Sequence, residues 1–497
     1  MLFNSWQFLI FFPVTVLLYY VVPGRLKNIC LLLANCIFYG SAGLRGLLVL
    51  LLCGIWTYAA SLLIEAARGR GKRILKTVLG ISLGGLFLTL AGFKYAGFVL
   101  HNLFALVRMI KPVVQEPTVS IIMPVGISFF VFQMAGYLID VYRTDLKAER
   151  RFLHLLLFVT FFPQLLAGPI PRGKDLLPQF DSVHHWDYER FVDGSALMLW
   201  GFVLKLVIAD RAAILVDTVY DQFSSYTGAV LILATLMFAL QIYCDFYGYS
   251  LIARGAARIL GFELAENFAG PYLAVSVQDF WRRWHISLSS WFRDYLYIPL
   301  GGSRQGRGKK YRNILLVFLV SGLWHGAQWN FVCWGLLNGL YQVLEDAAGR
   351  HGKQKGEHEY RSAQKGRTHF PARVRTIIMI CAAWVFFEAR GLRAAVRMLL
   401  QMCCLIRPAA PEGMRIMGLS SGVPGISVPE FILLVLGGIT LLLADISREK
   451  GTGVYARICK AGWVWRPVIL AAGVILLAVT GIWGNAYQAS GFIYFQF

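Results

Sequence analysis

The chain has 497 residues, of which 57% are hydrophobic and only 15% charged, and its mean hydropathy is +0.59. A typical soluble protein carries about 25% charged residues, so this composition excludes a water-soluble, disordered, collagen-like, coiled-coil or disulfide-stapled secreted protein. The net charge of +21 comes from basic residues in short loops between apolar stretches, which is typical of a multi-pass membrane protein, so we expect no nucleic-acid partner.

Stretches without an acidic or basic residue recur along the chain, and many approach the roughly 20 residues that a transmembrane helix needs. Together with weaker candidates they predict eleven to thirteen spans, some of them short or re-entrant. The uncharged stretches are 1–24, 28–44, 46–64, 77–93, 117–139, 152–171, 222–244, 313–344 and 467–497, and the weaker candidates are 95–107, 191–209, 376–387 and 431–444. No basic residue precedes the first stretch, so we expect a span there and not a signal peptide.

The basic loops predict the orientation of the chain. Loops 67–76, 304–312, 350–375 and 445–466 are rich in Lys and Arg, and such loops remain in the cytoplasm. One crossing through 467–484 then places the carboxyl terminus, Phe497, on the outer side.

The stretch 313–344 is too long for one straight crossing. As a single helix it would measure about 48 Å, against a hydrocarbon core of about 30 Å. Both of its ends adjoin basic loops, so we expect it to enter the membrane, turn near Gly322-Leu323-Trp324-His325-Gly326-Ala327 and return. This turn would place His325 at the deepest point.

His325 is the only Asp, Glu, His, Lys or Arg in 313–344. Ionisable groups at membrane depth are costly and usually mark a functional site. An imidazole titrates near neutral pH and can accept a proton from a hydroxyl group. The structural alternative is a neutral imidazole hydrogen-bonded to a helix carbonyl.

The segment 278–300 interleaves aromatic rings with arginines, as an amphipathic helix at the lipid headgroups does. A plain membrane anchor and a functional site both remain open, and His285 in its middle is either a second site imidazole or an interfacial residue. The glycine-rich loop 301–310, which contains Arg304, does not fit the phosphate-loop template. It is either a topogenic loop or a contact for donor phosphates.

Other candidate residues give weaker indications of function. The nine cysteines form no C-x-x-C pair and the histidine spacings fit no metal site, so we predict neither a disulfide nor a bound metal. Asp210, Asp245 and Glu388 are expected to be structural charges. The aromatic tail Phe492–Phe497 either fills an apolar groove or presents the Tyr494 hydroxyl in a cavity.

The stretch from Asn267 to Gly302, which contains the run DFWRRWHISLS, strongly resembles the membrane-bound O-acyltransferase family. Gly322-Leu323-Trp324-His325-Gly326 matches the second histidine motif of that family. The stretches 1–5, 123–129 and 162–170 extend the likeness, which is greatest to the bacterial alginate O-acetyltransferase branch.

The resemblance implies an all-α polytopic protein, with a ring of tilted helices around a central funnel. Its core would be 1–425, with active-site motifs at 267–302 and 321–326, and 426–497 would form carboxyl-terminal transmembrane helices ending in the tail FIYFQF. The implied catalytic residues are His325 and, as the second site histidine, His285. The substrate-binding candidates are Asn267, Asp279, Trp324 and Arg304.

The tail fits F-x-Y-x-x-F and resembles the acyl-relay motif of envelope acylation systems. There a tyrosyl ester passes the acyl group to an extracytoplasmic SGNH-type transferase, and the outer position predicted above for the tail agrees with that role for Tyr494. Glu388 departs from the Phe-Arg-Ala pattern that the resemblance leads us to expect, so it is assigned no role.

We therefore expect an O-acetyltransferase of the bacterial cytoplasmic membrane. It would pass acetyl from cytoplasmic acetyl-CoA, with no bound cofactor, to an envelope or extracellular polysaccharide such as alginate. One alternative is D-alanyl or other acyl transfer to teichoic acid or peptidoglycan. An alternative of another class is a transporter or flippase with His325 in its pathway.

Overall fold

The computed structural model describes residues 1–111, 115, 121–349, 370–404, 423–451, 462 and 465–482. This part of the chain consists of helices and turns, and its one β pairing is an isolated bridge between Val423 and Ile426. Contacts divide the chain into two compact units, one formed by Met1–Gly201 with Tyr249–Ala265 and the other by Phe202–Gly248 with Glu266–Phe497. The domain boundary predicted after residue 425 and the ring around a funnel stay predictions.

The described residues before 204 form eight α-helices of more than four residues. They are α1 (Trp6–Val21), α2 (Lys27–Gly40), α3 (Leu44–Ala67), α4 (Lys72–Lys94), α5 (Ala96–Ile110), α6 (Ile127–Arg143), α7 (Phe152–Thr160) and α8 (Tyr188–Val203). A π-helix, Leu204–Ala209, follows α8 directly.

The described residues after this π-helix form ten further α-helices. They are α9 (Asp210–Asp221), α10 (Gly228–Ile259), α11 (Val277–Arg283), α12 (Ile286–Phe292), α13 (Arg307–His325), α14 (Trp329–Ala347), α15 (Phe370–Glu388), α16 (Leu392–Met402), α17 (Val428–Glu449) and α18 (Trp465–Thr480). A second π-helix, Arg293–Tyr297, continues α12.

Five helices in the described residues are long and apolar enough to cross a membrane. They are α3 with its 3-10 extension to Arg70, α4, α10, α15 and α17, and α1, α5 and α18 are shorter apolar helices. The all-α, multi-pass membrane class is therefore confirmed. The number of long helices is smaller than the eleven to thirteen predicted spans.

Local backbone geometry explains part of this difference. Within the uncharged stretch 117–139, the described residues 121–126 are not helical, and α6 begins at Ile127 directly after Gly126, which adopts a left-handed φ of +74°. A β-carbon at Gly126 would lie 2.8 Å from the Leu165 carbonyl oxygen, so only glycine fits this turn. The stretch 152–171 is also divided, because α7 ends at Thr160 and Phe161 leaves the helical conformation with ψ +105°.

The stretch 313–344 forms the predicted helical hairpin, with α13 ending at His325 and α14 beginning at Trp329. The turn covers residues 326–328, at the end of the predicted turn segment, because α13 continues through Trp324 and His325. Two glycines allow the helix backbones to touch. A β-carbon on Gly322 would lie 2.3 Å from the Phe331 carbonyl oxygen, and one on Gly335 would lie 2.3 Å from that of Phe318.

A buried charge cluster joins the π-helix Leu204–Ala209 to α9 and α10. The Lys205 ammonium lies 2.8 Å from Asp210 Oδ1 and 2.6 Å from Asp245 Oδ1, and none of the three side chains is more than 5% exposed. Buried charges are tolerated when they are paired in this way. The expectation that Asp210 and Asp245 are structural charges is confirmed.

Candidate active site

His285 has an unusual backbone conformation. It lies between α11 and α12 with φ +45° and ψ +54°, in the left-handed region, which residues with a β-carbon rarely adopt. Such a conformation costs about 1–3 kcal/mol and persists where the surrounding structure enforces it. Left-handed residues of this kind cluster at functional sites, so the backbone supports a site role for His285 over a plain interfacial one.

Asn267 enforces the position of this turn. Its carbonyl oxygen accepts a hydrogen bond from the backbone N–H of Ile286 at 3.0 Å, and its Oδ1 accepts one from that of Ser287 at 3.2 Å. Asn267 is buried. These contacts give Asn267 a role in positioning His285, and the prediction that it also binds substrate stays a prediction.

Asp279 caps the first turn of α11. Its Oδ2 accepts a hydrogen bond from the backbone N–H of Val275 at 3.2 Å, and its Oδ1 accepts one from Arg283 Nε at 3.1 Å. The Asp279 backbone N–H donates to Ser276 Oγ at 3.0 Å. The structure thus shows a capping role for Asp279 and leaves substrate binding a prediction.

The His325 imidazole lies in an aromatic cluster at the tip of the α13–α14 hairpin. Its ring centroid is 4.9 Å from that of Trp324, 4.9 Å from that of Trp334 and 5.4 Å from that of Phe387. His325 and Trp334 are buried. Sequence analysis did not identify Trp334. This residue lies in the second half of the predicted hairpin, so the hairpin prediction could have pointed to it.

The Trp324 ring contacts the rings of both histidines. Its ring centroid is 6.1 Å from that of His285 and 4.9 Å from that of His325, and the ring planes meet at 68° and 85°. His285 also contacts the ring of Phe246, with the centroids 4.6 Å apart. The structure therefore brings together His285, Trp324 and His325, which the sequence places in two separate motifs.

Two candidates remain, Arg304 and Tyr494. Arg304 is in an exposed turn, where its backbone N–H donates to the Gly301 carbonyl oxygen at 3.3 Å. Tyr494 lies outside the described residues. In the part of the chain that the structure describes, no three His, Cys, Asp or Glu side chains form a group suited to a metal ion.

Burial determines the protonation state of His285, which lies outside the five long apolar helices. The loss of solvation lowers the pKa of its imidazole to about 3. The ring is therefore neutral at physiological pH, so it can accept a proton or a hydrogen bond but does not act as a fixed cation.

Trp384, on α15, is a further residue that sequence analysis did not identify. Its ring stacks on Trp334, with the centroids 5.9 Å apart and the planes at 19°, and it lies 5.3 Å from the ring of Phe387. Among the described residues its indole Nε1 has no hydrogen-bond partner, although the side chain is buried. The aromatic cluster around His325 thus contains an unused N–H donor.

Comparison with known proteins adds to this geometry. A family model described as the membrane-bound O-acyltransferase family matches residues 142–385. The chain is 34% identical to the probable alginate O-acetylase AlgI of Pseudomonas putida, with both chains covered over their full length. The chain belongs to the membrane-bound O-acyltransferase family. The family resemblance found in the sequence is confirmed, and this family member is an O-acyltransferase.

Two further relatives of this membrane-bound O-acyltransferase carry different names. The peptidoglycan O-acetyltransferase of Helicobacter pylori is 33% identical, over 80% of this chain and 79% of that protein. The teichoic acid D-alanyltransferase of Streptococcus thermophilus is 29% identical, over 50% of this chain and 64% of that protein. The three relatives share acyl transfer and differ in the acyl group or acceptor that their names give.

Proposed function

We propose that this O-acyltransferase is an O-acetyltransferase that passes acetyl from cytoplasmic acetyl-CoA across the bacterial cytoplasmic membrane to an envelope or extracellular polysaccharide. The buried arrangement of His285, Trp324 and His325 is the observation that carries the proposal. The full-length relative named alginate O-acetylase supports a polysaccharide acceptor. The acetyl group and the acceptor class come from that name and from the family resemblance.

In the proposed reaction His325 acts as the general base. It takes the proton of an acceptor hydroxyl while the hydroxyl oxygen attacks the thioester carbonyl carbon. The carbon–sulfur bond breaks, an oxygen ester forms, and the proton returns from the imidazole to the departing thiolate. Aromatic rings around His325 keep bulk water away, which limits hydrolysis of the thioester.

Trp384 is the proposed donor to the acyl carbonyl oxygen. A buried N–H without a partner costs about 1–3 kcal/mol, so a position of this kind needs a reason. A carbonyl oxygen placed beside the aromatic cluster would satisfy the Nε1–H and would bind it more strongly as negative charge develops in the transition state.

Replacing Trp384 with Phe keeps an aromatic ring beside Trp334 and removes the N–H. We expect kcat to fall by about 10²–10³, the usual effect of losing one oxyanion donor. The control is Trp281→Phe, since the Trp281 Nε1 already donates to Asn338 Oδ1 at 3.2 Å. Steady-state CoA release measures both variants, and a wild-type kcat in W384F would rule out the donor role.

The donor and the reaction type can be tested on the purified protein in lipid nanodiscs. With acetyl-labelled acetyl-CoA we expect free CoA thiol and label on an acceptor hydroxyl. Thioester cleavage only with a D-alanyl carrier protein would favour the alternative named for the Streptococcus thermophilus relative. Movement of an intact solute without thioester cleavage would indicate a transporter and contradict the proposal.

The proposed acyl relay passes through Tyr494 to an SGNH-type partner, and it requires the tail to lie on the outer side, as the charge pattern predicts. Replacing Tyr494 with Phe removes the hydroxyl that forms the ester, so we expect loss of polymer acetylation with unchanged protein abundance. Tyr487→Phe, a few residues before the tail and outside F-x-Y-x-x-F, is the matched control. Mass spectrometry should find acetyl on Tyr494 in the wild type, and full acetylation in Y494F would leave the tail without a relay role.

A further inference from the structure

The end of α17 contacts the first histidine motif, although α17 lies beyond the residues 142–385 that the family model matches. The guanidinium of Arg448 donates to the Phe268 carbonyl oxygen at 2.9 Å and pairs with the Glu266 carboxylate. It also donates to the Tyr247 hydroxyl at 3.3 Å. One side chain of α17 therefore holds the residues on both sides of Asn267.

Asn267 in turn holds the residues that follow His285. Its two oxygens accept the backbone N–H groups of Ile286 and Ser287, directly after the left-handed turn. A displacement of segment 266–268 would move both acceptors together. The backbone N–H groups of Ile286 and Ser287 would then lose these hydrogen bonds. The same hydrogen bonds keep the preceding residue, His285, in its left-handed conformation.

We propose, on the basis of the function proposed above, that Arg448 is a positioning residue that sets the place of the His285 imidazole through Asn267. The guanidinium suits this role because its planar fork can serve two acceptors at once in a fixed geometry. A lysine at the same position has a single flexible ammonium and cannot reproduce that geometry.

The contacts of Arg448 do not suit a role in stability alone. Its side chain is 33% exposed and that of Glu266 is 46% exposed. Ion pairs this open to solvent contribute little to folding stability. The contacts matter more for the local geometry of segment 266–268 than for folding stability. The reason is that the productive placement of catalytic groups is sensitive to shifts of about 1 Å.

A second contact from the same helix end supports this interpretation. Arg283, the last residue of α11, pairs with Glu449 at 3.1 Å, and its carbonyl oxygen accepts the backbone N–H of Ala269 at 3.0 Å. The last turn of α17 thus holds the motif on both sides of the His285 turn.

The test compares Arg448→Met and Arg448→Lys with wild type in lipid nanodiscs, using release of CoA from acetyl-CoA. We expect kcat to fall by about 10-fold or more in both variants, because a shift of about 1 Å can cost about 10²-fold. The KM for acetyl-CoA and the thermal unfolding midpoint should remain near those of the wild type. Arg258→Met is the matched control, since the Arg258 side chain is 24% exposed and pairs with the exposed Glu263 at 2.8 Å, outside these contacts.

The outcomes separate the two proposals. Wild-type kcat in R448M and R448K would overturn the positioning role while the proposed function stands. A lower unfolding midpoint with unchanged kcat per folded molecule would also overturn it, since that is the result of a structural role. R448K keeps the positive charge, so it tests the positioning role if R448M does not fold. No CoA release by the wild-type protein would overturn the proposed function and this inference with it.

Discussion

Replacing His325 with Gln is expected to abolish acetylation of the polymer. Gln keeps a polar side chain of similar volume beside Trp334 and Phe387 but cannot take a proton from a hydroxyl near neutral pH. A positioned general base contributes typically about 10²–10⁴ in rate, so the residual kcat should fall by at least that factor. CoA release by the purified protein and acetyl content of the cellular polymer measure the effect.

Two controls make the His325 result specific. The amount of H325Q protein in the membrane should equal that of the wild type, which separates lost chemistry from lost folding. His101→Gln changes an exposed histidine on α5 and should leave acetylation intact. Polymer acetylation retained in H325Q would refute His325 as the catalytic base, whatever the family membership.

Replacing Lys205 with Met is expected to produce the largest loss of stability. The substitution leaves the Asp210 and Asp245 carboxylates buried beside an apolar side chain without the ammonium at 2.6–2.8 Å. Removing one partner of a buried ion pair costs about 3–5 kcal/mol, because the remaining charge is uncompensated. We expect a clearly lower thermal unfolding midpoint in detergent micelles and a lower yield from membranes.

Neutralising the whole cluster should recover most of that loss. In K205M/D210L/D245L no uncompensated charge remains, and replacing a complete buried ion cluster with well-packed hydrophobic residues of similar volume is often close to neutral for stability. The control is Arg390→Met, which breaks an exposed pair with Asp221 at 2.8 Å and should cost about 0–1 kcal/mol. An unfolding midpoint in K205M equal to that of R390M would show that the cluster does not stabilise the fold.

The predictions from sequence succeeded where one physical constraint acts within a continuous stretch. The hairpin of α13 and α14 followed from the length of the uncharged stretch 313–344 against the thickness of a bilayer. The number of spans was harder to predict, because hydropathy does not register a left-handed glycine such as Gly126, which delays the start of α6. The capping role of Asp279 was also not predicted, because an acidic residue in a motif suggests substrate binding as readily as helix capping.

By itself, the amino-acid sequence determined the helical membrane class, the family and the two histidine motifs, because composition, apolar length and motif spacing are properties of neighbouring residues. Only the tertiary structure decided that Trp324 contacts both His285 and His325, that Trp384 joins their aromatic cluster and that Arg448 holds the segment around Asn267. These contacts join helices far apart in the chain. Their existence depends on how side chains pack in three dimensions, and no local pattern of residues records that packing.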